Sequence, residues 1–144
     1  MGKSRWLMVL LGLIVVTGLP FLGNWLRHTP PDACAQDGAT IDPLFRVRIV
    51  DDHGGSYAFC CINCARIWVR QHTQSARAVF VTDELSGKEL ESAAAHYVRS
   101  TVMTQPTTRN NIHVFASRAD AERHAGHAGG AVLFGDERPF HALE

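Results

Sequence analysis

The chain has 144 residues, with 14 basic and 14 acidic side chains and a formal charge of zero. That length allows one ordinary domain, or two very small ones, once a targeting segment is set aside. No basic stripe offers a footprint for nucleic acid, and no acidic tail offers a solvating arm.

Taken in chain order, Lys3 and Arg5 precede an uncharged run of 21 residues from Trp6 to Leu26. About 20 apolar residues cross a hydrocarbon core as a helix. The run predicts a retained transmembrane anchor, with a cleaved signal as the alternative, since Pro20 and Asn24 weaken its far end. The basic residues ahead of it favour the cytoplasm, so the remainder is expected on the periplasmic or extracytoplasmic side of a cell membrane. The expected divisions are 1–27 for the anchor or signal, 28–44 for a linker and loop holding Cys34, 45–84 and 85–136 for two folded halves, and 137–144 for a tail.

The first half reads as strand, strand, helix, strand. Phe45 to Val50 alternates, with Phe45, Val47 and Ile49 on one face. "DDHGG" is a hairpin turn whose glycines tolerate positive φ, and "SYAF" returns. Ile62 to His72 has helical apolar spacing, Arg77 to Thr82 is a strand, and "DELSG" is a turn. The order then recurs: Ala95 to Val102 and Ile112 to Ala116 as strands around the polar loop "TQPTTRNN", a helix over "RADAERHAGHA", and "AVLFG" as the closing strand. Ser117 with Asp120 forms a capping box at the start of the second helix, and Gly129-Gly130 ends it. The two copies align when Phe59 is laid over Phe115, 56 positions on. Cys60 then lies over Ala116, Cys61 over Ser117 and Cys64 over Asp120. The same strand-to-helix junction is thus written once with cysteines and once without, which points to chemistry rather than folding as their purpose.

Of the four cysteines, three fall in "YAFCCINC" and the fourth, Cys34, sits in the preceding loop. Cys60 ends a strand and Cys64 lies four residues on, near the start of a helix, so their sulfurs can converge. Free N–H groups at a helix start favour thiolate over thiol. A flexible loop can deliver Cys34 as a third sulfur, and Cys61 is either spare or a fourth ligand. Soft thiolates suit copper(I) first and zinc second. The expected metal ligands are therefore Cys34, Cys60, Cys61 and Cys64. Against this stand a disulfide or a structural zinc stapling a binding domain. A thiol-disulfide oxidoreductase using the Cys61/Cys64 CxxC pair is a further alternative.

The segments "CAQDG" and "YAFCCINC" resemble the cysteine pattern of TRASH-type heavy-metal domains. From Cys34 to Phe134, through "FCCINCA", "VFVTDELSGKEL", "AHYVRS" and "FASRADAERHA", the chain resembles the NosL family, accessory proteins of nitrous oxide reductase. The resemblance implies an α+β fold of two related strand-strand-helix-strand halves and a copper(I) chaperone without enzymatic activity. It also implies a protein partner that donates or receives the metal. Through the relation of that fold to organomercurial lyase, which needs paired cysteines and a carboxylate, Asp37 can be nominated, although nothing else in the sequence selects it. The segment "VMTQPTT" departs from the family pattern and leaves Met103 as a candidate thioether ligand or a packing residue. His124 and His127, three apart on a helix, could bind metal but fit a solvated face better, and His53 belongs to an exposed turn.

Overall fold

The computed structural model describes residues 32–72 and 76–143. The apolar run from Trp6 to Leu26, and with it the expected membrane helix, lies outside them. Among the described residues no helix is long and apolar enough to cross a membrane.

The first half runs β1 (Val47–Asp51), β2 (Ser56–Phe59), α1 (Ile62–Gln71) and β3 (Ala76–Thr82). The second runs β5 (His96–Arg99), β6 (Ile112–Phe115), α2 (Arg118–His127) and β7 (Ala131–Leu133), after a short β4 (Glu89–Glu91). Both sheets are antiparallel, in the orders β2-β1-β3-β4 and β6-β5-β7. In each half the first strand is central, and the helix carries the chain from one flanking strand to the other. The architecture is mixed α+β, as expected.

The helix bounds, Ile62–Gln71 and Arg118–His127, are offset by the same 56 positions as Phe59 and Phe115. Several boundaries differ from the sequence reading: β5 ends at Arg99, short of Val102, and β7 ends at Leu133, short of Gly135. Phe45 is not on β1: Pro43–Phe45 forms a single 3-10 turn whose N-cap, Asp42, accepts from Leu44 N–H. A proline near the first position of such a turn costs no hydrogen bond, so local chemistry overrides the alternation. Glu89–Glu91 pairs with Phe80–Thr82, a strand too short to show a period.

The hairpin between β1 and β2 is held by Asp51. Its carboxylate accepts from His53 N–H at 2.9 Å, from Gly55 N–H at 2.6 Å and from the Tyr57 hydroxyl at 3.2 Å. Gly54 takes φ +80°, which only glycine adopts freely.

β1 alternates as its sequence demands, with Val47 and Ile49 buried. They meet Phe59, Val79 and Val81 from neighbouring strands, and Ile62, Ala65 and Trp68 from α1. Trp68 is wedged between Tyr57, with ring centroids 4.9 Å apart, and His72, stacked at 4.3 Å. Burying side chains of this size contributes roughly 1.5–3 kcal/mol each. The second sheet is covered on both faces. Tyr97, Ile112, Val114 and Leu133 join the same core, while Val98 and Phe115 pack with Ala121 of α2. β6 is buried along its whole length for that reason.

The segment after β3 ties the halves together. Glu84 N–H donates to Val114 O at 3.1 Å, and the Glu84 carboxylate accepts from Val114 N–H at 3.0 Å. The Asp83 carboxylate accepts from Ala116 N–H at 3.1 Å. The edge of β6 is thereby satisfied without another strand.

Candidate metal centre

Two local features bring sulfur to one point. β2 ends at Phe59, so Cys60 and Cys61 fall in the bend that leads into α1, and Cys64 lies within the first turn of that helix. Residues 32–41 form a tight hairpin beside them. Cys34 N–H donates to Ala39 O, Gly38 N–H to Cys34 O and Ile41 N–H to Asp32 O, each at 2.8 Å. Ala35 N–H donates to Ala58 O at 2.8 Å, which fastens this hairpin to β2. The loop expected to be a flexible carrier of Cys34 is therefore a hydrogen-bonded turn, and Cys34 is 1% exposed.

The Sγ atoms of Cys34, Cys60 and Cys64 and a carboxylate oxygen of Asp37 all lie within 4.8 Å of one another. Cys60 Sγ and Cys64 Sγ are 3.6 Å apart. The Cys64 thiol donates to Asp37 Oδ2 at 3.3 Å, and Cys60 Sγ is 3.9 Å from either carboxylate oxygen. Around one ion with metal–sulfur bonds of about 2.3 Å, ligands in trigonal or tetrahedral geometry stand roughly 3.7–4.0 Å apart. The group needs only a slight contraction to reach that. The three sulfurs are buried, while Asp37 is exposed, so the carboxylate marks the open side. All four cysteines are free thiols in this structure.

Cys61 lies outside the group. Its backbone is extended and it is the N-cap of α1, with Sγ accepting from Cys64 N–H at 3.5 Å and bonded to the Thr108 hydroxyl at 3.2 Å. Ser117 does the same at α2, its hydroxyl accepting from Asp120 N–H at 3.1 Å. The alignment laid these two residues over each other, and they share one role.

The expectation that the helix start would favour thiolate at Cys60 and Cys64 is corrected by their surroundings. The donors at the helix start converge on Cys61: hydrogen bonding from Cys64, against the opposing effect of burial and with help from Thr108, brings its thiol down to about 6. Burial, reinforced by negative charge at Cys61, pushes Cys60 up to about 12. Hydrogen bonding to Cys61 and burial push Cys64 up as well. Burial also acts to raise Asp37. Hydrogen bonds from Cys34, Ala39 N–H and Cys64 outweigh it and hold the carboxyl below its ordinary range. Empty, the group consists of protonated Cys60 and Cys64 thiols beside an ionised carboxylate. An arriving cation must displace those protons.

The second half roofs the junction. Asn63 N–H donates to Asn110 Oδ1 at 3.3 Å, and the Asn63 amide donates to Thr108 O at 3.2 Å. Asn110 is 1% exposed, and its amide also donates to Thr104 Oγ1 at 2.6 Å and to Ile112 O at 3.1 Å. Thr108 and Asn110 escaped the sequence reading because a polar loop carries no period. Asp37 was nominated there on other grounds, and its place beside the sulfurs is set by the hairpin. Met103 is more than half exposed and is not in the group. His124 packs on His113 and Phe115, with centroids 4.3 Å and 5.0 Å away, and His127 is exposed. His53 sits in the exposed turn.

No protein-family model and no curated protein matches the chain. Among solved structures, the chain is similar to the copper chaperone NosL from Shewanella denitrificans, with a TM-score of 0.63 and 19% identity over 75% of this chain and 96% of that one. At that identity the likeness speaks for the fold. The described domain thus has a NosL-like fold, with three thiols and a carboxylate gathered where its first β-hairpin meets its first helix.

Proposed function

We propose that this chain is a carrier of a soft metal ion, copper(I) first and zinc second, held by Cys34, Cys60 and Cys64 with Asp37 at the open side. The observation that carries the reading is the convergence of three buried sulfurs from two separate segments within 4.8 Å. Thiolate sulfur in low coordination suits copper(I), and a fourth oxygen donor completes the tetrahedron that zinc takes. No bond of a substrate is made or broken: the ion passes from the thiolates of one protein to those of another. Asp37 is the exposed member, so transfer would proceed from its side. The NosL-like fold supports a chaperone and copper as the cargo. The run from Trp6 to Leu26 supports a tether that keeps the domain on the extracytoplasmic side of the membrane, where a donor or acceptor protein meets it.

The test is competition of the reduced protein against a chromophoric copper(I) chelator. The parent should withdraw one copper(I) per chain, and Cys60→Ser or Cys64→Ser should abolish this. Retention by both variants would remove the site from these residues. The oxidoreductase reading has the lowered Cys61 thiol in its favour, but that sulfur is 1% exposed and capped by Thr108. Turnover of a disulfide substrate by metal-free protein would restore it.

A further inference from the structure

A cleft of about 310 Å³ lies between the flank of α1 and the C-terminal segment. Arg66 and Arg70 line it, and the rest of its wall is apolar, including Val69, Pro139, Phe140 and Leu143. Positions 64 and 66 are about 200° apart around a helix, so this flank is not the one that buries Cys64. The cleft therefore plays no part in the proposed metal centre.

Its charge is uncompensated among the described residues. Among the described residues neither Arg66 nor Arg70 has an ion pair or side-chain hydrogen bond. The charges that act on Arg66 are those of Arg70 and Arg99, both of its own sign. A half-buried cation beside two others costs free energy that a bound anion would return. Guanidinium groups grip carboxylate or phosphate through paired N–H donors. The apolar wall asks for a ligand with a hydrocarbon body. The volume is at the small end of ligand pockets, which begin at about 300 Å³.

We propose that this cleft binds a small amphiphilic anion, with its phosphate or carboxylate between Arg66 and Arg70 and its apolar part against Phe140 and Leu143. The source is either a free metabolite-sized anion or the headgroup of an anionic lipid.

The test titrates the full chain, in neutral detergent, with hexyl phosphate, hexanol, inorganic phosphate and dihexanoyl phosphatidylglycerol, read by calorimetry and thermal unfolding. Hexyl phosphate should bind saturably and raise the Tm, while hexanol and inorganic phosphate bind much more weakly. Arg66→Met or Arg70→Met should weaken hexyl phosphate by about tenfold or more, the loss of one charge-assisted hydrogen bond. Arg66→Met should also leave the ligand-free Tm unchanged or raised, because it removes an unpaired half-buried charge. Binding of the phosphatidylglycerol at least as tight as that of hexyl phosphate assigns the lipid source, and its failure to bind assigns the free anion. Equal binding of hexanol, equal binding of inorganic phosphate, or hexyl phosphate affinity unchanged in both variants overturns the proposal. Copper(I) competition by the same variants should match the parent, so this site and the metal centre stand or fall separately.

Discussion

Cys61 is where a ligand and a structural residue can be told apart. In Cys61→Ser the hydroxyl keeps an acceptor at the N-cap of α1, and serine is a better cap than cysteine; Ser117 shows the geometry at α2, with a 3.1 Å bond in place of the 3.5 Å one to sulfur. At pH 5, below the value of about 6 to which the Cys61 thiol is lowered, the substitution should change stability by no more than about 0.5 kcal/mol, since cap, size and the Thr108 partner are all retained. Cys61→Ala removes the cap, worth about 1 kcal/mol and at the low end here because the bond to sulfur is long. It also leaves a space close to a methyl group in a site 1% exposed, worth about another 1 kcal/mol. The half-buried Thr108 hydroxyl can turn to water and adds little. Together these lower the Tm by roughly 4–10 °C for a domain of this size. The assays are thermal unfolding by circular dichroism, reduced and metal-free, and competition for copper(I). Cys61→Ser should bind copper(I) like the parent, in contrast to Cys64→Ser. If Cys61→Ser loses the ion as Cys64→Ser does, Cys61 is a ligand, and its role as a cap does not describe the loaded state.

Three further outcomes follow from the same structure. Reduced and stripped of metal, the domain should keep a cooperative thermal transition, because Cys34, Cys60 and Cys64 pack in the core as free thiols beside Val47, Phe59 and Ile62, and the second half builds the equivalent junction from Ala116, Ser117 and Asp120; loss of any transition would mark a structural zinc instead. Gly130→Ala would set a Cβ 2.6 Å from Arg99 O and 2.9 Å from Ser100 Cβ. The contact with backbone cannot relax cheaply, so a cost of about 1–3 kcal/mol is expected in denaturant unfolding, with copper(I) affinity unchanged. His113, 3% exposed, has acceptors at both ring nitrogens, Glu84 Oε2 at 2.9 Å and Val102 O at 3.1 Å. Burial works against its charge, but Glu84 prevails and raises its pKa. The stability this contributes is complete below the unfolded value of about 6.5 and is lost as pH rises through the raised folded value. His113→Gln should flatten that fall in a series of Tm against pH; an unchanged slope would assign it to other groups.

The chain's own pattern determined a great deal. Alternation at Val47 and Ile49, helical spacing from Ile62, and the recurrence of both 56 positions later are short-range signals, because period 2 and period 3.6 are set by the backbone alone. The same comparison paired Cys61 with Ser117, which the two helix caps then share. It could not divide the four cysteines into ligands and a cap. That division depends on which way each sulfur points out of a two-residue bend, and on Thr108, 47 positions away, forming a hydrogen bond with one of them. Nor could the sequence choose Asp37 over the other carboxylates, since only the hairpin fastened to Ala58 sets it beside Cys64. Burial at Cys60, and hydrogen bonding to Cys61 together with burial at Cys64, likewise reversed the thiolate expectation, because desolvation is a property of the assembled core and of no single segment. Elements and their repetition are local and legible in the residues; convergence, burial and the direction of each sulfur belong to the tertiary structure.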